Sequence, residues 1–289
     1  MSDFEVLYGR TNQGNFARYG IKNRKIFWRG SYNYPWTDIR RIALYHNKLI
    51  DEFIEDGTKR DKLVIVLTTT GGIAEEVERI VNIIRHFYKE VVFVVPDYAY
   101  SAGTIFCMSG DEIYMDYFGV LGPIDPQLYK DDKYVPALGY LDKVNEFVEK
   151  SIDGTISPAE MMMLQEIDLA DLRSYEQARD LAIDLLKKWL VQYKFKNWDT
   201  HSSSGNPVTW EDKEIRAEMI AKILSDNKEW MSHGRGIDIN ILRSKLRLEI
   251  KDFGEDLDLS SLLHSYSELL EEYNETKNVS AFFHTRRSL

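Results

Sequence analysis

Residues 91–104 read VVFVVPDYAYSAGT, and this stretch decides the fold. Its apolar run, Val91–Val95, predicts a buried β-strand, because a continuous β-branched run is typical of a strand covered on both faces. The strand ends at Pro96, and the chain then turns into a short helix with Ser101 at its start. We therefore expect the Ser101 hydroxyl at a helix N-terminus, where backbone N–H groups and the helix dipole favour negative charge.

A second predicted strand precedes this one and ends in a pair of glycines. Leu63–Leu67 is again a continuous apolar run, and residues 68–72, TTTGG, follow it. The adjacent Gly71 and Gly72 let backbone N–H groups approach a substrate oxyanion closely. A serine hydroxyl and such N–H groups at neighbouring strand ends are what acyl-transfer chemistry requires. The pattern therefore predicts a serine hydrolase.

The elements around these two strands alternate in type. Helices are predicted over Ala74–Tyr88 and Ala102–Ser109, and strands over Glu112–Met115 and Gly119–Leu121. Strand–helix–strand order implies parallel pairing with right-handed crossovers. Ligands in such folds bind beyond the carboxyl ends of the strands. The sequence therefore predicts an α/β fold with its site at that edge of the sheet.

Three regions are predicted along the chain. Residues 1–35 form an N-terminal arm that is a candidate oligomer contact, residues 36–195 the catalytic core, and residues 196–289 a helical C-terminal extension. The apolar residues of Trp36–Asp56 fall on one stripe, which predicts a helix at the start of the core. Helices are also expected over three later segments: Tyr175–Tyr193, Thr209–Leu224 and Leu257–Tyr273.

Composition argues against several classes of protein. The 289 residues include 47 acidic and 37 basic ones, a formal net charge of −10, which argues against nucleic-acid binding. No run of 18 apolar residues occurs, so no membrane span is expected. The lone Cys107, read as a small buried core residue, cannot form an internal disulfide, and no signal-peptide pattern is present; the default expectation is cytoplasmic. Neither a metal-ligand motif nor a P-loop is found, so we expect no metal and no cofactor.

Four short motifs in the central region carry a family resemblance: TTGG at 69–72, YAYSAGT at 98–104, SGDEIYM at 109–115 and LGPIDPQ at 121–127. Here the chain resembles the serine dehydrogenase proteinase family, in the clan of the Clp protease proteolytic subunit, signal peptide peptidase A and the crotonase fold. The resemblance implies a Clp/crotonase-like fold, a parallel sheet of repeated units with a helical C-terminal extension. It implies a serine endopeptidase acting on peptides or unfolded proteins. It also implies a homo-oligomer, with an unfoldase or regulatory protein as a candidate partner.

The same resemblance places the nucleophile on Ser101. It places the oxyanion donors on the backbone N–H groups of Gly72 and Ala102, with Gly71 contacting the substrate. A simpler interpretation stays open for Ser101, since serine is also a favoured helix N-cap. The double glycine and the downstream GPIDPQ motif favour the nucleophile.

A serine hydroxyl needs a base, and a lysine is the first candidate. The signal-peptide-peptidase branch uses a lysine, and the position that suits it here is Lys143, in an apolar segment expected to desolvate its amine. The two together would form a Ser-Lys dyad. Lys130 and Lys133 lie in more polar sequence and are weaker candidates. The region where the Clp subunit has its histidine, 122–127, contains none.

A histidine is the alternative base. His233 lies in a loop after a helix, and such loops can fold back over a site. Asp125 is a candidate to orient a base, although turn chemistry explains it equally well. Two other functions stay open from the sequence: a catalytically silent scaffold on the same fold, and an acyl-CoA hydratase or lyase, which uses carboxylates rather than a serine as acid and base.

Overall fold

The computed structural model describes residues 24–30, 62–130, 133–277 and 281–284. Side chains are described within 62–126 and 137–277. The predicted helix over Trp36–Asp56 lies outside the described residues, as does most of the predicted N-terminal arm.

The described strands, in chain order, are β1 Arg24–Gly30, β2 Lys62–Thr69, β3 Glu90–Val94, β4 Tyr98–Ala99, β5 Glu112–Met115, β6 Val120–Leu121, β7 Gln127–Lys130, β8 Lys133–Pro136, β9 Ile237–Asp238, β10 Lys251–Asp252 and β11 Ala281–His284. The described helices are α1 Ala74–Phe87, α2 Ala102–Met108, α3 Ala137–Ile152, α4 Pro158–Gln165, α5 Leu169–Trp189, α6 Trp210–Ser225, α7 Asn227–Trp230, α8 Ile239–Ser244 and α9 Leu257–Lys277. A π-helical turn, Leu190–Lys194, continues α5, and a 3₁₀ turn, Phe253–Glu255, precedes α9.

One mainly parallel sheet organises these elements. Its strand order is β10-β5-β3-β2-β4-β6-β9, with β1 beside β2 and β11 beside β1. The β1–β11 and β6–β9 pairs are antiparallel, and the other pairs are parallel. Strands β7 and β8 form a separate hairpin. The predicted parallel α/β fold is confirmed, and the predicted β2, β3, β5 and β6 all form.

The sheet is covered on both faces, as the continuous apolar runs predict. One face packs against α1, α2, α5 and α6 in a large core that includes Phe93, Leu186 and Trp189. The other face packs against α9, where Val64 and Leu263 belong to a smaller cluster. Successive residues along β2, and likewise along β3, point alternately to the two faces. Since both faces are covered, both sides of each strand are buried. Cys107 is fully buried, as predicted, and burial raises the pKa of its thiol.

The segments flanking the core add strands to the same sheet. Strand β1 lies within residues 1–35, and β9, β10 and β11 lie within residues 196–289. No strand was predicted in the C-terminal extension, where β9 and β10 have two residues each, too few to show a period of two. The extension is helical as predicted, and it also supplies β10 and β9, the strands at the two ends of the main strand order. The boundaries at 35 and 195 stay predictions.

A buried aspartate attaches α9 to the sheet. The Asp116 side chain is fully buried and accepts hydrogen bonds from the Phe118 and Gly119 N–H groups. Its second oxygen lies 2.6 Å from His264 Nε2 and accepts from the Ser260 hydroxyl at 3.3 Å. His264 received no role from the sequence, and in the structure it holds α9 against the sheet.

Within the described residues, no helix has the length and apolar character that crossing a bilayer requires.

Candidate active site

Ser101 stands in a strained turn between β4 and α2. Its backbone has a φ of 53° and a ψ of −119°, a conformation that costs a non-glycine residue free energy. Although Ser101 occupies the N-cap position of α2, its hydroxyl makes no cap hydrogen bond. The helix-cap interpretation therefore does not account for this serine. A strained turn from strand to helix is instead how hydrolases present a nucleophilic serine.

The end of β2 packs directly against this turn. Gly71 has a φ of 110°, and a Cβ atom there would lie 2.8 Å from both Ser101 Cβ and the Tyr100 carbonyl oxygen. Only glycine suits both the backbone conformation and the close approach. Strands β2 and β4 pair at Thr69 and Ala99. The two strand ends that the sequence analysis singled out are therefore neighbours.

Two backbone N–H groups at this junction are candidate oxyanion donors. Ala102 opens α2, so its N–H has no acceptor within the helix. Gly72 is exposed, and no hydrogen bond from its N–H is found in the described part of the chain. The Gly71 N–H, by contrast, donates to Thr69 Oγ1 at 3.0 Å. The geometry leaves Gly72 and Ala102, rather than Gly71, available to donate to a ligand.

A buried carboxylate–imidazole pair follows β6. His233 Nδ1 lies 2.9 Å from Asp125 Oδ1, with the two side chains 9% and 4% exposed. Three residues before Asp125, Gly122 packs on Tyr100: a Cβ there would lie 3.0 Å from Tyr100 Cα. The Asp125 segment therefore contacts the residue that precedes Ser101.

Tertiary pairing brings His233 to this aspartate. Leu121 of β6 pairs with Ile237 of β9, in antiparallel register. The Ile124 N–H donates to the Leu224 carbonyl at the end of α6, at 2.9 Å. The His233 loop lies between α7 and β9, so these contacts hold it next to the segment that carries Asp125.

Lys143 lies on α3 and is not desolvated. Its Nζ forms an ion pair with Glu146 at 2.8 Å, and its side chain is 55% exposed. The predicted burial of this amine is wrong, because the apolar residues of α3, such as Leu141 and Val144, lie on one face and Lys143 points away from it. Its role as a base stays a prediction. The side chains of Lys130 and Lys133, in the β7–β8 hairpin, lie outside those described.

Comparison with known protein families shows which family the chain belongs to. Residues 50–225, more than half of the chain, match the family of ClpP-like SDH-type serine proteinases. The chain belongs to this family. The resemblance that the sequence motifs indicated is therefore confirmed.

Relatives of this SDH-type serine proteinase occur in Methanocaldococcus jannaschii. The uncharacterized protein MJ0137 is 37% identical over 190 residues, which cover 63% of this chain and 62% of the relative. The uncharacterized protein MJ1495 is 28% identical over 146 residues, covering 50% of this chain and 44% of the relative. The matches thus span less than two thirds of either relative. A solved structure of the membrane-bound stomatin-specific protease 1510-N, a mutant in complex with a substrate peptide, is 15% identical, with a TM-score of 0.42, covering 74% of this chain and 70% of that one.

The candidate site was only partly predictable from the sequence. Ser101, Gly71 and Gly72 are marked by local signals, namely strand ends and a glycine pair. Asp125 and His233 were each singled out, but nothing in the sequence paired them, since 108 positions separate the two. Thr104 lies in the YAYSAGT motif but received no role from the sequence, and only its place one turn after Ser101 could have suggested one.

Thr104 connects the serine turn to the Asp125 segment. Its buried hydroxyl lies 2.8 Å from the carbonyl oxygens of both Ala99 and Gly122, and it accepts a hydrogen bond from the Gly122 N–H at 3.0 Å. We expect Thr104→Val to lower the free energy of unfolding by about 1–3 kcal/mol, because it leaves buried polar groups unpaired at nearly constant volume. Urea denaturation measures this.

The matched control for that substitution is Thr155→Val. Thr155 is exposed, and its hydroxyl contacts the Lys150 carbonyl at 3.4 Å, a contact that its backbone N–H also makes and that valine keeps. The effect of this substitution should therefore stay within about 0.5 kcal/mol. Equal effects of the two substitutions would contradict a connecting role for Thr104.

Proposed function

We propose that this SDH-type serine proteinase hydrolyses peptide bonds through an acyl-enzyme on Ser101, with His233 as the general base and Asp125 as its orienting group. The observation that carries the proposal is the buried His233–Asp125 pair, held by β6 and β9 on a segment that contacts the Ser101 turn. The strain at Ser101 and the absence of a cap hydrogen bond support the nucleophile.

The tautomer of the histidine follows from its contact with Asp125. Because Nδ1 faces the carboxylate at 2.9 Å, a neutral imidazole donates there and leaves Nε2 free to accept the Ser101 hydroxyl proton. In the described residues no hydrogen bond joins Ser101 Oγ to His233 or to Lys143. Such contacts are often long in ligand-free enzymes and shorten when substrate binds.

The reaction then proceeds in two steps, acylation of Ser101 and hydrolysis of the acyl-enzyme. Ser101 Oγ attacks the peptide carbonyl carbon while its proton moves to His233, and the Gly72 and Ala102 N–H groups bind the resulting oxyanion. The proton passes to the leaving amine, which departs as the peptide bond breaks. Water, deprotonated by His233, attacks the ester carbonyl, and Ser101 recovers its proton as the acid product leaves.

The expected substrates are peptides or unfolded proteins, since a backbone oxyanion hole recognises any peptide carbonyl.

We also propose a homo-oligomer. Supporting it is a group of exposed apolar side chains around α4: Ile152, Met162, Met163 and Leu169. Such a group is typical of a protein contact. Light scattering after size-exclusion chromatography tests this, and a monomer at all concentrations argues against it.

A fluorophosphonate probe tests the chemistry directly. It reacts with an activated serine and should label one peptide, the one that contains Ser101. The same preparation should cleave an unfolded protein substrate such as reduced, alkylated albumin. A protein that is folded, unlabelled and inactive on this substrate would be a scaffold, and enoyl-CoA turnover without labelling would indicate a lyase.

A further inference from the structure

A cavity lies at the end of the sheet opposite to the proposed active site. It measures about 610 Å³, and the first residues of three strands line it: Glu90 of β3, Glu112 of β5 and Lys251 of β10. Ser101 and Gly71 follow the carboxyl ends of β4 and β2. The cavity therefore lies at the amino ends of the parallel strands and is separate from the proposed catalytic site.

Three cationic side chains of this cavity form no ion pair with a carboxylate of the described residues. In the part of the chain that the structure describes, Lys194, Arg216 and Arg247 form no ion pair. Lys194 Nζ donates to the Glu249 carbonyl oxygen at 2.5 Å, and Arg216 to the Leu246 carbonyl oxygen at 2.5 Å. Both therefore point at the segment that carries Arg247. The three positive charges converge on one wall of the cavity.

The acidic side chains of the lining do not neutralise that wall. Most of them are paired elsewhere: Asp111 with Arg85 and Lys196, Glu112 with Lys251, and Glu90 with Lys62. Glu249 is the remaining acidic lining residue, and it is exposed. An excess of positive charge is thus left at the cavity wall of a protein with a net charge of −10.

The backbone departs from regular structure where two of these cations lie. Arg247 has a φ of 46°, in the left-handed region that a non-glycine residue adopts at a cost. Lys194 ends the π-helical turn Leu190–Lys194, and π-helical turns are frequent at functional sites. A strained backbone conformation persists only where the surrounding structure holds it in place, and such conformations cluster at catalytic and ligand-binding sites.

We propose that this cavity binds a small phosphate-bearing anion. Arginine guanidinium groups match the oxygen geometry of phosphate, with two parallel N–H donors each, and Lys194 adds a third positive charge. Phe195 and Trp198 also line the cavity and offer apolar surface to the organic part of the ligand. A volume of about 610 Å³ is typical of sites for small molecules.

Lys194 gives this binding a pH signature. Burial lowers its pKa to about 8, although the nearby Glu249, Glu112 and Asp111 act to raise it and Lys251 to lower it further. A bound anion favours the charged amine, so binding at pH 8 takes up protons. We expect the affinity to fall as the pH rises from 7 to 9, as free Lys194 loses its charge.

Isothermal titration calorimetry of the full chain with pyrophosphate, at fixed ionic strength, tests the proposal. Saturable binding is expected, and Arg247→Gln should weaken it about tenfold or more, the loss of a charge-assisted hydrogen bond. Arg247→Gln is the first choice because no hydrogen bond of its side chain is found among the described residues. The matched control is Arg173→Gln, an exposed arginine paired with Glu176 far from the lining, and it should change affinity less than twofold.

Further arms make each outcome decisive. Repeating the titration at pH 8 in buffers of different ionisation enthalpy should show more proton uptake by the native chain than by Lys194→Met, because the ionisation of pyrophosphate itself contributes to both. Thermal unfolding verifies that each variant is folded, and Arg216→Gln serves as a second variant if Arg247→Gln is not. No saturable binding, equal weakening by the Arg173 control, or citrate binding as tightly as pyrophosphate would each overturn the phosphate site.

Discussion

Replacing Ser101 by alanine is expected to lower kcat/KM for an unfolded protein substrate by about 10⁴-fold or more, because the acyl-enzyme can no longer form. Fluorophosphonate labelling should disappear as well. Stability should change little, since the hydroxyl makes no cap hydrogen bond and alanine keeps the Cβ atom that contacts Gly71. Steady-state kinetics and thermal unfolding of the same preparations measure both quantities.

Ser109→Ala is the matched control for this substitution. Ser109 ends the same helix, α2, and its buried hydroxyl donates to the Phe106 carbonyl at 2.6 Å. The control should retain labelling and activity, with only a modest loss of stability. Undiminished cleavage by the Ser101 variant would remove the acyl-enzyme mechanism altogether.

Replacing His233 by alanine is the second large expected effect, a fall in kcat of about 10³–10⁴-fold. The imidazole has a buried carboxylate partner on the segment that contacts the Ser101 turn, and its loss removes both the proposed base and the proton donor to the leaving amine. Asp125→Asn should lower kcat similarly, because it stabilises the wrong tautomer of His233. The kinetic readout is kcat at substrate saturation, together with its pH profile.

Lys143→Ala distinguishes the two candidate bases. Lys143 is exposed and paired with Glu146, so its substitution should change kcat by no more than about twofold. A large loss with Lys143→Ala and none with His233→Ala would instead support the Ser-Lys dyad. If the His233 and Asp125 variants both lose activity and together lose no more than either alone, they act as one unit.

Much of the sheet was predictable because its central strands have strong local signals. The apolar runs at Leu63–Leu67 and Val91–Val95 became β2 and β3, and the charged-to-apolar change at Glu112 marked β5. Strands β9 and β10 have two residues each and form only because an existing sheet offers them a free edge. No pattern within two residues can signal such a strand.

In the candidate site, too, the local features were predictable from the sequence and the features that depend on distant contacts were not. The turn around Ser101 is local, because a strand end, a short helix and the glycines at 71 and 72 lie within about forty residues of chain. The evidence on the two candidate bases is not local. The exposure of Lys143 depends on which face α3 buries, and the position of His233 depends on the pairing of β6 with β9.

By itself, the sequence predicted the parallel α/β core, the family and the serine proposed as the nucleophile, because each is marked by short local patterns, namely apolar runs, a glycine pair and four motifs. The tertiary structure alone brought together Asp125 and the proposed base His233, which lie 108 positions apart in the chain. Contacts between residues more than a hundred positions apart depend on the whole folded sheet, and burial follows from those contacts rather than from the hydrophobicity of a single segment.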